Sequence, residues 1–267
     1  MQTKRQMLDK ELTAAIHAAH EAGTAILRIA QEHHQTAVQA DRTVVTQADI
    51  EADRILQRHL RGGFPGYGWL SEETQSDASR LNKNRVWIVD PMDGTREFVM
   101  KVPEFVVSIA LVERGEPILA VIYNPTTGDL HEAIRGGDAK CNDRPIHCDH
   151  KFAGKAKVEV SRSDLEKGRF TGYEPYVELR PVGSIAYKLA RLATGLTDAT
   201  LSLTPKNEWD IAAGVLLVRQ AGGRINDLRN QCYTFNRSDT LLNGVVAASD
   251  AAYDAVLSVV RKVSPGQ

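Results

Sequence analysis

The chain has 267 residues, of which 42% are hydrophobic and 25% charged, proportions of a globular protein that exclude global disorder and a fibrous structure. Thirty-three Lys and Arg stand against 34 Asp and Glu, a net charge of −1, so no broad cationic field favours a nucleic-acid polymer as partner. The longest apolar runs, such as residues 106–112, are too short to cross a bilayer.

The first six residues lead into a charged amphipathic segment without the apolar centre of a signal peptide. Three cysteines (Cys141, Cys148, Cys232) form no Cys-x-x-Cys pair, so a reducing, cytoplasmic setting is the expectation. Residues 6–33 read as a long helix, with Leu8, Leu12, Ala15, Ala19, Gly23 and Ile26 at helical spacing. A second helix starts after Thr46 and runs to Leu60, where Gly62-Gly63 stops it. Residues 85–90 form a buried strand ending in a turn. Residues 105–112, 118–123 and 130–134 are short strands separated by turn compositions, Arg114-Gly115-Glu116-Pro117 and Asn124-Pro125-Thr126-Thr127-Gly128, which predict an antiparallel meander. Beyond residue 150 the elements alternate, with strands over 157–161, 198–203, 224–228 and 241–248 and helices over 184–194, 210–221 and 250–260. The first half therefore reads as α+β and the second as α/β. The polar segment 147–155 divides an N-terminal lobe, 1–148, from a C-terminal lobe, 149–267.

Four acidic segments carry the candidate chemistry. In Asp90-Pro91-Met92-Asp93-Gly94-Thr95 an apolar strand delivers Asp90 to a turn. Two carboxylates three residues apart there can converge on one hard divalent cation, and magnesium prefers such oxygen ligands. A lone Asp-Gly-Thr is more often a plain Asx turn; the full hexapeptide behind a buried strand favours the site. Glu72-Glu73, after Trp69-Leu70-Ser71, could place one carboxylate inward and one outward, although such pairs are usually solvated. Asp210 in Asn207-Glu208-Trp209-Asp210-Ile211-Ala212-Ala213-Gly214 has an ordinary reading at a helix start. Thr46-x-x-Asp49 likewise reads as a capping box with Asp in place of the usual Glu.

Taken together, Glu72-Glu73, Asp90-Pro91-Met92-Asp93-Gly94-Thr95 and Trp209-Asp210-Ile211-Ala212-Ala213-Gly214 resemble, in order and spacing, the inositol monophosphatase superfamily of magnesium-dependent, lithium-sensitive phosphomonoesterases. The resemblance runs from about Ala14 to the C-terminal helix. It implies a layered αβαβα sandwich with the active site between two lobes. It implies Glu72, Asp90, the Met92 carbonyl, Asp93 and Asp210 as ligands to two or three Mg²⁺ ions, with Asp90 bridging. Asp49 and Thr95 would orient and deprotonate the attacking water, Gly94 and Thr95 would hold the phosphate, and Gly183, Ser184 and Asp210 would face the substrate. Many members carry Lys-x-Asp-x-Ser-Pro-Val-Thr before the acid matched by Asp49; here residues 39–46 lack that lysine and proline and offer Arg42 instead. The expected reaction is direct in-line attack by water on a small phosphorylated metabolite. Members occur as monomers and dimers, so a homodimer is within the expected range.

The versions Leu70-Ser71-Glu72-Glu73, Thr204-Pro205-Lys206-Asn207-Glu208-Trp209-Asp210 and Gly183-Ser184 before a helix bearing Lys188 are most similar to the bacterial 3′(2′),5′-bisphosphate nucleotidase branch. That resemblance implies hydrolysis of adenosine 3′,5′-bisphosphate to AMP, with inositol monophosphatase and fructose-1,6-bisphosphatase activities as alternatives. A second phosphate needs a cationic or N–H-rich pocket, and Lys188, Arg191 and Lys206 are the candidates, each otherwise an ordinary surface charge. Two rivals stand apart. A haloacid-dehalogenase-type phosphatase uses Asp-x-Asp-Gly-Thr, with one residue between its acids where this chain has two. A silent magnesium- and phosphate-binding regulator would not need every ligand position filled. His33, His34, His59, His131 and His147 show no metal-ligand spacing with the acids, and Cys148 with His147 and His150 lacks a fourth ligand. The three tryptophans are expected to pack beside the site. The glycine-rich residues 61–68 lack the lysine of a P-loop.

Overall fold

A computed structural model describes residues 8–32, 36–38, 44–148 and 154–264. Arg42, His33, His34 and His150 lie outside the described residues, as do residues 149–153, where the sequence places the lobe boundary.

Helix α1 (Asp9–Gln31) buries Leu12, Ala15, Ala19, Ala22, Ile26 and Ile29, a stripe at the spacing of one helix face. Helix α2 (Gln47–Leu56) starts at the Thr46 capping box and continues through a π turn, Gln57–Arg61. Gly62-Gly63 does not stop it at Leu60, because Gly62 keeps right-handed helical angles instead of the left-handed ones of a terminator.

The first sheet runs in chain order through β1 (Gly68–Ser71), β2 (Arg85–Asp93), β3 (Val106–Glu113), β4 (Glu116–Asn124), β5 (Asp129–Ile134), β6 (Ala139–Cys141) and β7 (Arg144–Pro145). Only β1–β2 is parallel; the remaining pairs form the expected meander. Both faces of its centre are covered. Trp87, Val89, Val107 and Ile109 pack with α1 and α2, while Val86, Ile88, Ala110 and Val112 face the other way. That is why these strands read as unbroken apolar runs. Strand β2 extends past the expected turn, and its pairing with β3 is irregular between Asp90 and Asp93.

After the short helix α3 (Thr95–Val99), the second sheet contains β8 (Ala156–Val160), β9 (Val177–Pro181), β10 (Ala199–Ser202), β11 (Gly223–Asn226) and β12 (Val245–Ser249), in the order β9-β8-β10-β12-β11. It is mixed, with β9, β8 and β10 parallel and β12 antiparallel to both neighbours, so a purely parallel α/β half is not what forms. The strand expected over 241–248 is split: Leu241–Leu242 pairs with Lys206–Asn207, and β12 begins at Val245. One-turn α4 (Arg162–Glu166) follows β8. Helices α5 (Ile185–Ala193) and α6 (Glu208–Gln220) share one core with residues of both sheets, and α7 (Asp250–Val263) covers the outer face of the second. The layers are therefore α1/α2, sheet, α5/α6, sheet, α7, the αβαβα sandwich. Among the described residues no helix is long and apolar enough to cross a membrane.

Candidate active site

Where β2 ends against α3, the loop before α5 and the start of α6, a cavity of about 450 Å³ opens. Glu72, Asp90, Met92, Asp93, Gly94, Thr95, Gly183, Ser184 and Asp210 all line it. Of the metal, catalytic and substrate-facing residues that the resemblance implies, only Asp49 is not on its wall, and it lies directly behind Thr95; of the three candidate cations, Arg191 is off the wall too. No tryptophan lines the cavity; Trp69 and Trp87 sit in the core under α1 and α2, and Trp209 packs against the middle core.

Each motif keeps its ordinary local role and gains a second one through the fold. Asp90 Oδ1 accepts the Met92 N–H at 3.0 Å, the Asx turn of the ordinary reading, and the carboxylate still faces the cavity. Gly94 follows with φ +106°, and an added Cβ would lie 2.7 Å from the Glu104 carbonyl oxygen and 3.0 Å from the Phe105 Cα. Backbone cannot yield as a side-chain tip can. Gly94→Ala should therefore reduce phosphate release at least tenfold and lower the melting temperature by ~5 °C, both read on the purified variant. An unchanged melt would contradict the packing described.

Asp49 Oδ2 accepts the Thr46 N–H at 2.8 Å and the Thr46 hydroxyl at 2.6 Å, the expected capping box. Its other oxygen accepts the Thr95 hydroxyl at 2.7 Å, across 46 residues of chain. The Met92 carbonyl, at 3.2 Å, is the alternative acceptor for that hydroxyl. One turn further along α2, buried Asp53 accepts from Ser71 and Thr74, both at 2.6 Å. These bonds flank Glu72-Glu73 and tie its loop to the helix that carries Asp49. Sequence reasoning passed over Asp53, whose only local signal is its i+4 spacing from Asp49. Glu73 does not point simply outward. Burial first, then Asp49 and Asp53, push its carboxyl up to about 7.

Asp93 Oδ2 accepts the Ser184 hydroxyl at 2.7 Å and the Ala186 N–H at 2.6 Å. Ser184 is held at φ +49°, left-handed backbone that a serine adopts only when its surroundings impose it. Lys188, 3% exposed, supplies that constraint by donating to the carbonyls of Val182, Gly183 and Ser184 at 3.1, 3.4 and 3.0 Å. Gly183 packs so closely on Glu97 that an added Cβ would lie 2.2 Å from its Cγ, and its N–H donates to Glu104 at 2.7 Å. Two of the three cations proposed for a second phosphate are thereby accounted for otherwise. The Lys188 ammonium spends its three protons on carbonyls. Arg191 pairs with buried Glu159 at 2.8 Å and lies over the Tyr187 ring. Lys206 lines the cavity with no ion pair among the described residues, and Arg96, not anticipated from the sequence, stands on the same wall 3.4 Å from Glu166.

The carboxylates oppose one another. Asp90, 1% exposed, is held well above the ordinary carboxylate range, first by burial and then by Glu72, Asp93, Asp210 and Asp49. Burial pushes Asp210 up to about 7, with Asp93 adding to the rise and Lys206 opposing it. Glu72 is open along the cavity wall, yet the protein crowding its carboxyl, then Asp210, Glu73, Asp93 and Asp49, push it up to about 8. By type these oxygen donors suit a hard divalent cation, which would replace protons as the neutralising charge; no three of them lie within 4.8 Å of one another, so the cation would also draw them together. In chelator these acids bind more protons folded than unfolded, so stability should fall as pH rises from about 4, the unfolded carboxylate value, through about 8. Melting curves across that range should show this decline, and saturating Mg²⁺ should remove most of it. A chelated protein that gains stability over the same interval would contradict the electrostatics.

A family model described as the inositol monophosphatase family matches residues 7–264. An inositol-1-monophosphatase of Mesorhizobium japonicum is 36% identical, with 94% of this chain and 96% of that protein covered. A Nus factor SuhB of Xylella fastidiosa is 34% identical, with 80% of each chain covered. The solved structure of a Thermotoga maritima IMPase aligns with a TM-score of 0.84 at 26% identity, covering 95% of this chain and 97% of that one.

Proposed function

The chain belongs to the inositol monophosphatase family, and from that premise we propose that it is a magnesium-dependent phosphomonoesterase acting on a small phosphorylated metabolite. The observation that carries this reading is the meeting of Glu72, Asp90, Asp93 and Asp210, from three separate segments, on one cavity with Thr95, which is bonded to Asp49. Glu72, Asp90, Asp93, Asp210 and the Met92 carbonyl would hold the Mg²⁺ ions. When bound, magnesium supplies charge neutralisation for the phosphoryl group and a lowered pKa for coordinated water.

The chain's own residues do the rest. Thr95 holds a water at its hydroxyl while Asp49, behind it, accepts the proton that Thr95 passes on. Gly94 and Thr95 receive the phosphate. Ser184 and the Ala186 N–H fix the Asp93 carboxylate, and the Gly183-Ser184 turn faces the leaving group. Water attacks directly, and no side chain forms a covalent intermediate.

For the substrate we infer adenosine 3′,5′-bisphosphate, from the motif resemblance and from Lys206 and Arg96 as cations on the cavity wall. Inositol 1-phosphate is the second reading, favoured by the name of the Mesorhizobium relative. A phosphate-release panel with Mg²⁺, comparing these two with fructose 1,6-bisphosphate, separates them. The nucleotide should lead, and Lys206→Met should erase its lead. Inositol 1-phosphate leading, with Lys206→Met neutral, would reverse the order. Release from none would favour a silent regulator, and a trapped phosphoryl-Asp90 would contradict direct attack.

A further inference from the structure

A second group of ligating side chains lies on the outer layer, and none of its members lines the carboxylate cavity. His17 and Glu21 are four residues apart on α1 and so share one face. His59 comes from the π turn that prolongs α2. Its Nε2 lies 2.6 Å from Glu21 Oε2, and its ring meets the His17 ring edge-on at 4.8 Å. One donor atom from each of the three lies within 4.8 Å of the other two. Among the described residues this is the group of three His, Cys, Asp or Glu side chains that closes to that spacing.

We propose that His17, Glu21 and His59 bind a zinc-type divalent transition ion. Two imidazoles and one carboxylate are a borderline donor set, matched to Zn²⁺, Co²⁺ or Ni²⁺ and unsuited to Mg²⁺, which asks for oxygen. The ion takes the place of the direct contact between His59 Nε2 and Glu21 Oε2. Ligand bonds of about 2 Å around a tetrahedral ion keep donors roughly 3.3 Å apart, so the close pair opens and His17 moves in. His17 is exposed and the other two are half-buried, so none of the three is locked in the core. Arg58 pairs with the other oxygen, Glu21 Oε1, and its guanidinium also lies 3.4 Å from His59 Nε2, so it turns away from the imidazole when the ion binds. With His17 exposed, water would supply the fourth ligand. The π turn, a departure from α geometry that clusters at functional positions, carries His59. An ion there would join α1 to the helix that carries Asp49, a second metal class kept apart from the first by ligand chemistry.

The test uses the full chain saturated with Mg²⁺. Zn²⁺ is added in equilibrium dialysis, and Co²⁺ is followed by its visible absorption. One zinc-class ion per chain should bind in the presence of excess Mg²⁺, with the intense visible bands of four-coordinate Co²⁺. His17→Ala and His59→Ala should each weaken it by about tenfold or more, and the double variant should abolish it. His17→Gln, which keeps a good helix former at an exposed position, should behave as His17→Ala does. Phosphate release in Mg²⁺ alone should be unchanged in all of them. Equal Zn²⁺ affinity in the wild type and the double variant, or no Zn²⁺ bound by the wild type, would overturn the proposal.

Discussion

Asp90→Asn is expected to lower phosphate release by about three orders of magnitude and to weaken Mg²⁺ binding at least tenfold. The substitution keeps shape and keeps an oxygen for the Met92 N–H, so the turn can persist. It removes the charge at the centre of the cup, the one that Glu72, Asp93, Asp210 and Asp49 all oppose. The same change should have the opposite effect on the metal-free protein. Removing a buried charge among like charges relieves repulsion, so the chelated variant should melt higher than the chelated wild type. Calorimetric Mg²⁺ titration with melts in chelator reads both signs. Loss of activity with wild-type Mg²⁺ affinity would remove Asp90 from the ligand set.

Thr95→Ala should lower kcat by about 100-fold while leaving Mg²⁺ affinity within about threefold and KM little changed. Among the described residues its hydroxyl is the hydrogen-bonded link between the buried Asp49 carboxylate and the cavity. Without it, Asp49 keeps both bonds to Thr46, so the start of α2 stays capped, but proton transfer has no path. Thr95→Ser should restore most of the rate. The contrast between the two variants carries the assignment: Asp90 acts through the ion and Thr95 through the water. Equal losses of Mg²⁺ affinity in both would contradict it.

Much of this was legible in the chain, for reasons that differ by element. Strand β2 and the meander after it announce themselves because strands buried on both faces are continuous apolar runs punctuated by turn residues. Strands β6 and β7 are three and two residues long, and β9, at the edge of its sheet with alternating Val177-Glu178-Leu179-Arg180 mostly outside the core, carries no apolar run to stand out. The acidic motifs were visible, but local physics gave each a sufficient ordinary explanation that the structure retains: a capping box at Asp49, an Asx turn at Asp90. Their joint meaning depends on contacts across the chain: the family resemblance paired Asp49 with Thr95, 46 residues apart, but nothing in the sequence pointed to Asp93 with Ser184, 91 residues apart. Lys188 misled because a lysine on an amphipathic helix looks solvated. Its three carbonyl partners all belong to the turn just before its own helix. Gly62-Gly63 misled in the opposite way: a terminator composition was absorbed into a helix that had slipped into a π turn.

The most direct test of the carboxylate cup is phosphate release by chelator-treated protein as Mg²⁺ is restored, with adenosine 3′,5′-bisphosphate and inositol 1-phosphate in parallel. Release should be absent in chelator and rise to a plateau with added Mg²⁺ for at least one of the two. Release that persists undiminished in chelator, or that fails to appear at any Mg²⁺ concentration, would contradict the account.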